Sequence, residues 1–238
     1  MIIKADLHTH TELSFDGRQT LDQLTSAARK KGLDAVAVTE HKKFNHLPYQ
    51  MNGVLLIHGF EFNSTEGHIV GLFLEEPPQW SSGTPQEIVS EIHRCGGIAV
   101  LAHPFQNPRR RLDDYLFAID GVETANARAA YKNPKAHRMA EQLAAVRNLK
   151  RIGGSDAHSP SEVGNAYTVI HCEEKTLESI KDALLNGVSH SKLKRNTPRR
   201  MIGLSQLKRR IRMGGFRNRM VGWAYLLKCI ALDLIKFK

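Results

Sequence analysis

The sequence predicts an α/β fold in which repeated βα units surround a mainly parallel sheet or barrel. Short apolar runs rich in β-branched residues alternate with longer amphipathic segments over residues 1–191, and polar side chains recur where the apolar runs end. The 238 residues are enough for one sizeable domain with a full hydrophobic core, or for such a domain with a short appendage.

The apolar runs have the length of strands, and the segments between them include three with the length and periodicity of helices. The strand-like runs occupy residues 1–8, 34–41, 53–62, 68–74, 97–104, 121–126, 151–158 and 166–171. The helix-like segments occupy residues 21–31, 85–95 and 136–148. Gly32 and Gly96 follow the first two of these segments, where a left-handed residue commonly ends a helix.

Polar side chains follow most of the predicted strands at the point where each strand ends. They are Asp6, His8, His10, His41, Glu61, His103, Glu123, Asp156 and His158. In a parallel βα barrel the carboxyl ends of the strands share one face, so we expect these side chains to converge there. Neutral imidazole and carboxylate are the ligands of divalent metals in hydrolytic sites, which keep a position open for water. The pattern therefore indicates a metal centre.

The sequence lacks the motifs of several other common kinds of active site. There is no GxSxG nucleophile elbow, no GxxxxGK[ST] phosphate loop and no Rossmann glycine fingerprint. The three cysteines are far apart and form no CxxC pair, so we expect neither disulfides nor a thiolate zinc site. This cysteine usage and the absence of an export signal at the N-terminus lead us to expect a reducing cytoplasm.

Seven motifs, in this order over residues 2–190, resemble those of the polymerase and histidinol phosphatase (PHP) family of metal-dependent phosphoesterases. They are DLHTH, SFDG, AVTEH, GFEFNSTEGHIVGLF, LAHPF, VETANAR and GGSDAHSPSEVGNAYTVI. The resemblance implies an α/β fold of the distorted seven-stranded (β/α)7 TIM-like barrel type, at residues 1–191. It also implies an active hydrolase of phosphate esters with two or three divalent ions, namely manganese, iron or zinc, with magnesium as an alternative.

The resemblance also implies roles for individual residues. A first metal would be held by His8, His10, Glu61 and Asp156, a second by Glu61, His68 and His103, and a third by Asp16, His41 and His158. Asp6, His8, Glu61, His103 and Asp156 would form the catalytic set, in which Asp6 accepts the second N–H of an imidazole. Glu40 departs from the family pattern, which commonly has Asp before the metal-binding His.

Arginine is expected to bind substrate phosphate beyond the metals, because its fork of N–H donors matches phosphate oxygens. Arg128, in VETANAR, and Arg109, at the start of the run Arg109–Arg111, are the candidates, with Arg18 a weaker third. For Arg109–Arg111, a solvated loop is the alternative interpretation.

The C-terminal segment 192–238 differs from the rest of the chain in charge. It contains fourteen Lys or Arg and a single acid, Asp233, whereas residues 1–191 have a slight excess of acids. Residues 220–237 are mostly apolar but too short and too charged for a membrane span. Three interpretations remain for this basic, partly helical extension: a helix packed on the barrel, a peripheral anchor on an anionic membrane, or a basic arm for nucleic acid.

We therefore expect a cytoplasmic phosphatase or phosphoesterase, with peripheral membrane contact as an alternative. Its substrate would be a small phosphomonoester, for example a nucleotide such as a nucleoside 3′,5′-bisphosphate, or a short RNA end. Histidinol-phosphate and protein-tyrosine phosphatase activities are alternatives within the family. Alternatives of another class are a metallo-hydrolase of C–N bonds and a binding module tethered to membrane or nucleic acid by the tail.

Overall fold

The computed structural model describes residues 1–44, 46–107 and 118–235. Its helices are α1 (Leu21–Lys30), α2 (Pro85–Arg94), α3 (Ala136–Arg147), α4 (Leu177–Leu185), α5 (Arg199–Arg212) and α6 (Phe216–Ile235). Its strands are β1 (Ile2–Thr9), β2 (Ala35–Glu40), β3 (Gln50–Met51), β4 (Val54–Ser64), β5 (Gly67–Leu72), β6 (Ser82–Gly83), β7 (Ile98–Leu101), β8 (Gly121–Asn126), β9 (Lys150–Gly154), β10 (Ala166–His171) and β11 (Ser189–Leu193).

Seven strands form the wall of a nearly closed barrel, in the order β1-β2-β4-β5-β7-β8-β9. A parallel bridge between Thr9 and Ala157 joins the end of β1 to the segment after β9. β10 and β11 extend the sheet from β1 in antiparallel pairing, while β3 and β6 pair with β4. The predicted seven-stranded barrel is thus confirmed, and so are the three predicted helices, to within one residue at each end.

One barrel strand, β5, runs in the opposite direction to its neighbours β4 and β7. Only residues 65 and 66 separate β4 from β5, and a connection this short can form a hairpin but not a crossover helix. The start of β5 therefore lies at the same rim as the carboxyl ends of the parallel strands. This reversal places His68, paired in register with Asn63, beside the ligands that follow the other strands.

The helices begin at residues that satisfy their first backbone N–H groups. Thr20 and Thr84 each form a capping box before α1 and α2, with Gln23 and Glu87 as the reciprocal partners. α1, α2 and α3 pack on the outside of the sheet: Leu24 and Ala28 of α1 belong to one buried cluster, and residues of α2 and α3 to another. This outer layer stiffens the strands whose ends carry the polar side chains.

The C-terminal extension is a helical hairpin of α5 and α6. β11 continues to Leu193, two residues beyond residue 191, the expected end of the barrel. Gly203 of α5 lies where a Cβ atom would come within 3.1 Å of the Leu226 and Cys229 side chains, so the absent side chain permits close packing of the two helices. Among the described residues, no helix is long and apolar enough to cross a membrane.

Asp233, near the end of α6, caps the start of α5. Its Oδ1 accepts the backbone N–H of Arg199 at 2.9 Å, and its Oδ2 accepts that of Arg200 at 3.0 Å. We expect Asp233→Ala to destabilise the start of α5 by about 1 kcal/mol, the usual effect of losing a cap. Faster hydrogen exchange of the first amides of α5 would show this. Glu173→Ala, at an exposed position on the barrel, should leave those rates unchanged; equal rates in Asp233→Ala would contradict the assignment.

Candidate metal centre

The nine residues expected to bind metal lie together at one rim of the barrel. Four groups of three residues have ligand atoms that all lie within 4.8 Å of one another: His10, His41 and His158; His8, His10 and Asp156; His8, His103 and Glu123; Glu61, His68 and His103. The structure therefore brings residues from every part of the barrel into one cluster, as the strand-end pattern predicts.

Glu61, near the end of β4, is at the centre of this cluster. Its Oε2 lies 3.4 Å from His8 Nε2, 3.4 Å from His10 Nε2 and 3.2 Å from His41 Nδ1. Its Oε1 lies 2.6 Å from His68 Nδ1 and 3.2 Å from His103 Nε2. A single carboxylate is thus surrounded by five imidazoles, which is the arrangement expected of a ligand that bridges two cations.

Asp156 and Asp16 supply carboxylates on the other side of His10. Asp156 Oδ1 lies 3.5 Å from His10 Nε2 and 3.5 Å from His158 Nδ1. Asp16 Oδ1 lies 3.2 Å from His158 Nε2 and 3.6 Å from His41 Nε2. Asp16, His41 and His158 are therefore adjacent, the grouping that the resemblance implies for a third ion.

Two of these residues have strained backbone conformations. The φ angle is 54° at Asp156 and 28° at His103, in the left-handed region that non-glycine residues rarely adopt. Such conformations cost on the order of 1–3 kcal/mol each and persist where the surrounding structure holds them. Here they direct a carboxylate and an imidazole toward the cluster.

The charges of the cluster depend on one another. Burial alone would raise the pKa of Glu61, but His68, His8 and His41 outweigh burial and hold this pKa well below its ordinary value. Burial and the neighbouring His158 and His41 lower the pKa of His10 to about 3, so its imidazole is neutral. Against burial, Glu123 and Glu61 raise the pKa of His8, and Glu61 and Asp16 raise the pKa of His41. Metal binding requires a neutral imidazole, so a bound cation would take the place of those protons.

The donor set fits divalent cations. Asp16 Oδ1 is buried and accepts no hydrogen bond from the described residues. His8 Nε2 and His10 Nε2 face each other at 3.1 Å while His8 Nδ1 contacts Glu123, which directs the Nε2 lone pair of His8 into the cluster. A mixed set of imidazole and carboxylate suits manganese, iron or zinc. A bound divalent ion would supply an acidified water and neutralise charge on phosphate oxygens.

Glu123 contacts the imidazole of one candidate ligand, His8, and the backbone of another, His103. Its Oε1 lies 2.8 Å from His8 Nδ1, and its Oε2 accepts the backbone N–H of His103 at 2.8 Å and the amide of Asn126 at 2.9 Å. The sequence places Glu123 among the strand-end residues but assigns it no role, because a carboxylate that contacts an imidazole looks the same in sequence as one that binds a metal. Contacts of this kind fix the tautomer of a ligand histidine.

Asp6 has a different role from the one expected. Its carboxylate accepts the backbone N–H of Ser155 at 2.8 Å, the Ser155 hydroxyl at 2.5 Å and the backbone N–H of Gly164 at 2.8 Å. It contacts no imidazole among the residues that the structure describes. Burial raises the pKa of Asp6 to about 6, against the effect of these hydrogen bonds. Asp6 therefore holds the segment that carries Asp156, and Glu123 has the orienting contact that the resemblance suggested for Asp6.

Glu40 supports the cluster through a hydroxyl. It accepts hydrogen bonds from the Thr11 backbone and hydroxyl and from the Ser14 hydroxyl, and Ser14 Oγ lies 3.3 Å from His10 Nδ1. The longer side chain of Glu at this position therefore reaches the segment after β1 and leaves His41 beside Glu61.

Gly154 permits the close approach of β9 to β1. A Cβ atom on it would lie 2.4 Å from the Cβ of His8 and 2.9 Å from Glu123 Oε1. We expect Gly154→Ala to displace His8, to destabilise the fold by roughly 1–3 kcal/mol and to reduce the bound metal. Unfolding free energy and metal content would be measured on one sample. Gly53→Ala is the control for a loss of stability alone: its φ of 77° strains an alanine, but a Cβ there meets nothing within 4 Å, so this variant should be destabilised and still retain the metal. Full metal content in Gly154→Ala would contradict this account.

The arginine candidates have different surroundings. Arg128 is buried and pairs with Glu162, with its Nε at 2.9 Å and its Nη2 at 2.6 Å from Glu162 Oε2, and Nη2 also donates to the Ser205 hydroxyl of α5 at 3.0 Å. Arg18 is partly buried, and burial lowers its pKa. Arg109–Arg111 lie outside the described residues.

The cluster opens into a cavity of about 910 Å³. One side is formed by the barrel ligands, including Glu61 and Asp156, and by Arg128. Residues of α5 also line the cavity, with Gln206, Arg209 and Arg210 among them. The C-terminal extension therefore contributes to the site itself, which the sequence did not predict.

Comparisons with known proteins agree with this architecture. The model of the PHP domain matches residues 6–145, and that of the PHP-associated region matches residues 134–189. An uncharacterized protein of Methanocaldococcus jannaschii is 35% identical over an alignment of 144 residues. The match covers 52% of this chain and 82% of that protein.

Solved structures share the fold at lower identity. A two-domain protein from Bacteroides vulgatus, described as containing a predicted PHP-like metal-dependent phosphoesterase, has a TM-score of 0.65 and 22% identity over 81% of this chain and 65% of that chain. Endonuclease Q from Pyrococcus furiosus, described as lesion-specific, has a TM-score of 0.59 and 19% identity over 80% of this chain and 58% of that chain. Another structure of endonuclease Q holds a 27-mer duplex substrate with an abasic lesion at the active site. This chain thus spans less than two thirds of these two structural relatives.

Proposed function

Because the chain belongs to the PHP family of metal-dependent phosphoesterases, and is therefore a hydrolase of phosphate esters, we propose that it removes phosphate from a phosphomonoester at the cluster around Glu61. The observation that carries this proposal is the convergence of five imidazoles on the Glu61 carboxylate, with Asp16 and Asp156 beside them. We further propose that two or three divalent ions occupy this cluster, held by the nine residues named above.

The composition of the cavity supports direct attack by water on phosphorus. Among the described residues that line it there is no serine, threonine or cysteine. In the proposed reaction Glu123 keeps His8 in one tautomer, and Asp6 holds the segment of Asp156 in place. Arg128 lies at the cavity with its charge balanced by Glu162, so it can orient a phosphate without adding net positive charge.

We propose a nucleotide or a nucleic-acid end as the substrate. The cavity has room for more than a phosphate group, and it combines basic residues with apolar and aromatic ones such as Ile202 and Tyr225. A substrate with a ring and phosphate groups matches this combination. The DNA bound to endonuclease Q in its structure is consistent with this class of substrate. Histidinol phosphate and phosphotyrosine remain alternatives that the same assay would detect.

The test is phosphate release by the purified full chain with Mn²⁺, first from p-nitrophenyl phosphate and then from a panel of phosphorylated metabolites and 5′- and 3′-phosphorylated oligonucleotides. Metal content would be measured on the same sample. His8→Ala and Asp156→Ala should abolish release, whereas His190→Ala, an exposed histidine of β11, should retain it. Undiminished activity in both site variants would refute the proposal.

We also propose that the outer face of α6 rests on an anionic membrane surface. Six of the eight exposed large apolar residues of α6 recur every three or four positions and so share one face: Phe216, Met220, Trp223, Leu227, Ile230 and Leu234, with Val221 and Ile235 beside them. Arg217, Arg219 and Lys228 lie on the same helix, whose single acid, Asp233, is turned toward α5. Two copies packed through this face would bring basic residues together without acids to pair them, whereas anionic lipid matches both the charge and the apolar face.

Sedimentation with vesicles tests this proposal. The protein should bind phosphatidylcholine vesicles that contain phosphatidylserine, bind neutral vesicles weakly, and dissociate as salt increases. Trp223→Ser combined with Leu227→Ser should abolish binding without a change in the circular dichroism spectrum. A concentration-dependent dimer that the same pair of substitutions abolishes, together with no vesicle binding, would show that a second copy covers the face instead.

The cysteines bear on the compartment. Cys95, Cys172 and Cys229 are buried and free. We propose a cytoplasmic location, because thiols in such positions are stable where the environment is reducing.

A further inference from the structure

We propose that α5 is an anion-binding wall of the site, through which Arg209 and Arg210 recognise a second anionic group of the substrate. This proposal rests on the proposed phosphoester hydrolysis and specifies its substrate. The substrate would carry one phosphate at the metal cluster and another phosphate or phosphodiester at the wall, with an organic spacer between them.

The first support is that α5 is fastened to the segment that carries a candidate ligand. Arg212 donates from Nη1 to the carbonyl of Ser14 at 2.7 Å and from Nη2 to that of Glu12 at 3.1 Å. Lys208 donates to the carbonyl of Gly17. These bonds span residues 12–17, which include Asp16. The position of α5 relative to the metal cluster is therefore determined by hydrogen bonds at both ends of this segment.

A second support is the position of Arg209. Its Cζ lies 4.9 Å from the centroid of the Phe15 ring, a distance typical of a cation–π contact. Phe15 also stacks on the His41 imidazole, with ring centroids 4.6 Å apart and an angle of 18° between the ring planes. Phe15 thus connects a guanidinium of the tail to an imidazole of the metal cluster. The aromatic contact orients Arg209 while leaving its N–H donors available to a ligand.

The third support is the balance of charge. Within the described residues, no carboxylate lies within 4.0 Å of the charged groups of Arg209 or Arg210. By contrast, Arg128 pairs with Glu162 and Arg200 with Asp233. The acids that do line the cavity are the candidate metal ligands, whose charge bound cations would neutralise. Among the described residues, these two positive charges at the cavity therefore have no carboxylate partner, and a guanidinium without one binds phosphate oxygens well.

The side chains on the cavity-lining face of α5 suit this role. Ile202, Gln206, Arg209 and Met213 line the cavity at spacings of three or four residues, which place them on one face of the helix, and Arg210, four residues after Gln206, lines the cavity beside them. Apolar, amide and cationic side chains follow one another along this face. A ring system between two phosphate groups can contact all three kinds in order.

The test compares substrates that differ in the second anion. The wild type and Arg209→Ala combined with Arg210→Ala would be assayed with Mn²⁺ on p-nitrophenyl phosphate, on adenosine 5′- and 3′-monophosphates, and on adenosine 3′,5′-bisphosphate. We expect kcat/KM for the bisphosphate to fall roughly 10- to 100-fold, mainly through KM, and the loss on p-nitrophenyl phosphate, which has no second anion, to be at least about fivefold smaller. Arg29→Ala combined with Lys30→Ala removes equal charge at exposed positions on α1 and should change neither.

Two results would overturn the proposal: an equal loss on all substrates, which would mean that α5 only supports the fold, or no loss on the bisphosphate. Binding of the bisphosphate, measured by calorimetry on the same proteins, separates this proposal from the proposed function. Wild-type protein that binds the bisphosphate through these arginines but hydrolyses none of the substrates would refute the hydrolysis and retain the wall. Protein that does neither refutes both.

Discussion

Glu61→Gln should reduce phosphate release by about three orders of magnitude, the equivalent of roughly 4 kcal/mol in the activation barrier. The amide has nearly the shape of the carboxylate but lacks its charge, and both carboxylate oxygens face imidazoles of the cluster. Metal affinity should fall as well, because Glu61 contacts His8 through one carboxylate oxygen and His68 through the other. Among the described residues of the cluster, no other carboxylate lies within 4.0 Å of as many imidazoles.

Kinetics and metal analysis on the same preparations would check this expectation. Glu178→Gln makes the same chemical change at an exposed position of α4 and should match the wild type in both measurements. Glu61→Gln protein that keeps its full metal content and its activity would show that the carboxylate has no bridging role. A variant that keeps its metals but loses activity would assign to Glu61 a role in the reaction more than in metal binding.

Arg128→Met should destabilise the protein by about 3–5 kcal/mol, because the substitution leaves Glu162 buried without its partner. The Glu162 carboxylate is almost completely inaccessible and receives two of the Arg128 N–H groups. Denaturation by urea would measure the loss. The activity of this variant is not informative about stability, since Arg128 also lines the cavity.

Two further variants make this measurement specific. Arg128→Met combined with Glu162→Gln removes both charges and should be more stable than Arg128→Met alone. Arg151→Met breaks the exposed pair with Glu141, in which the side chains are 40% and 45% accessible, and should change stability by less than about 1 kcal/mol. Equal effects of Arg128→Met and Arg151→Met would show that the buried pair is not a major support of the fold.

The barrel fold, and the end of the barrel that carries the polar residues, could be predicted because both depend on local sequence patterns. Apolar runs of strand length, the helical periodicity of residues 21–31 and 85–95, and the glycines that follow them are each contained in a short stretch of sequence. The ligand types could be listed for the same reason, since His8, His10 and Asp156 directly follow or end such runs. The direction of β5 also follows from a short stretch, because two residues between strands leave only a hairpin.

The contacts that hold the site residues in place join positions far apart in the chain. Arg128 pairs with Glu162, 34 residues away, and with Ser205, 77 residues away. Glu123 contacts His8 across 115 residues. No periodicity or spacing relates such positions, so Asp6 and Glu123 could not be distinguished as the residue that orients an imidazole.

What the sequence established is therefore the architecture, the residue types of a metal centre and the unusual charge of the C-terminal segment. Only the tertiary structure decided where that segment lies. Its arginines have the same composition whether they face lipid, nucleic acid or solvent, and the charge count cannot separate these cases. The close packing of α5 on α6 at Gly203 and the bonds from Arg212 to residues 12–14 depend on three-dimensional fit, and they bring α5 to the metal cluster.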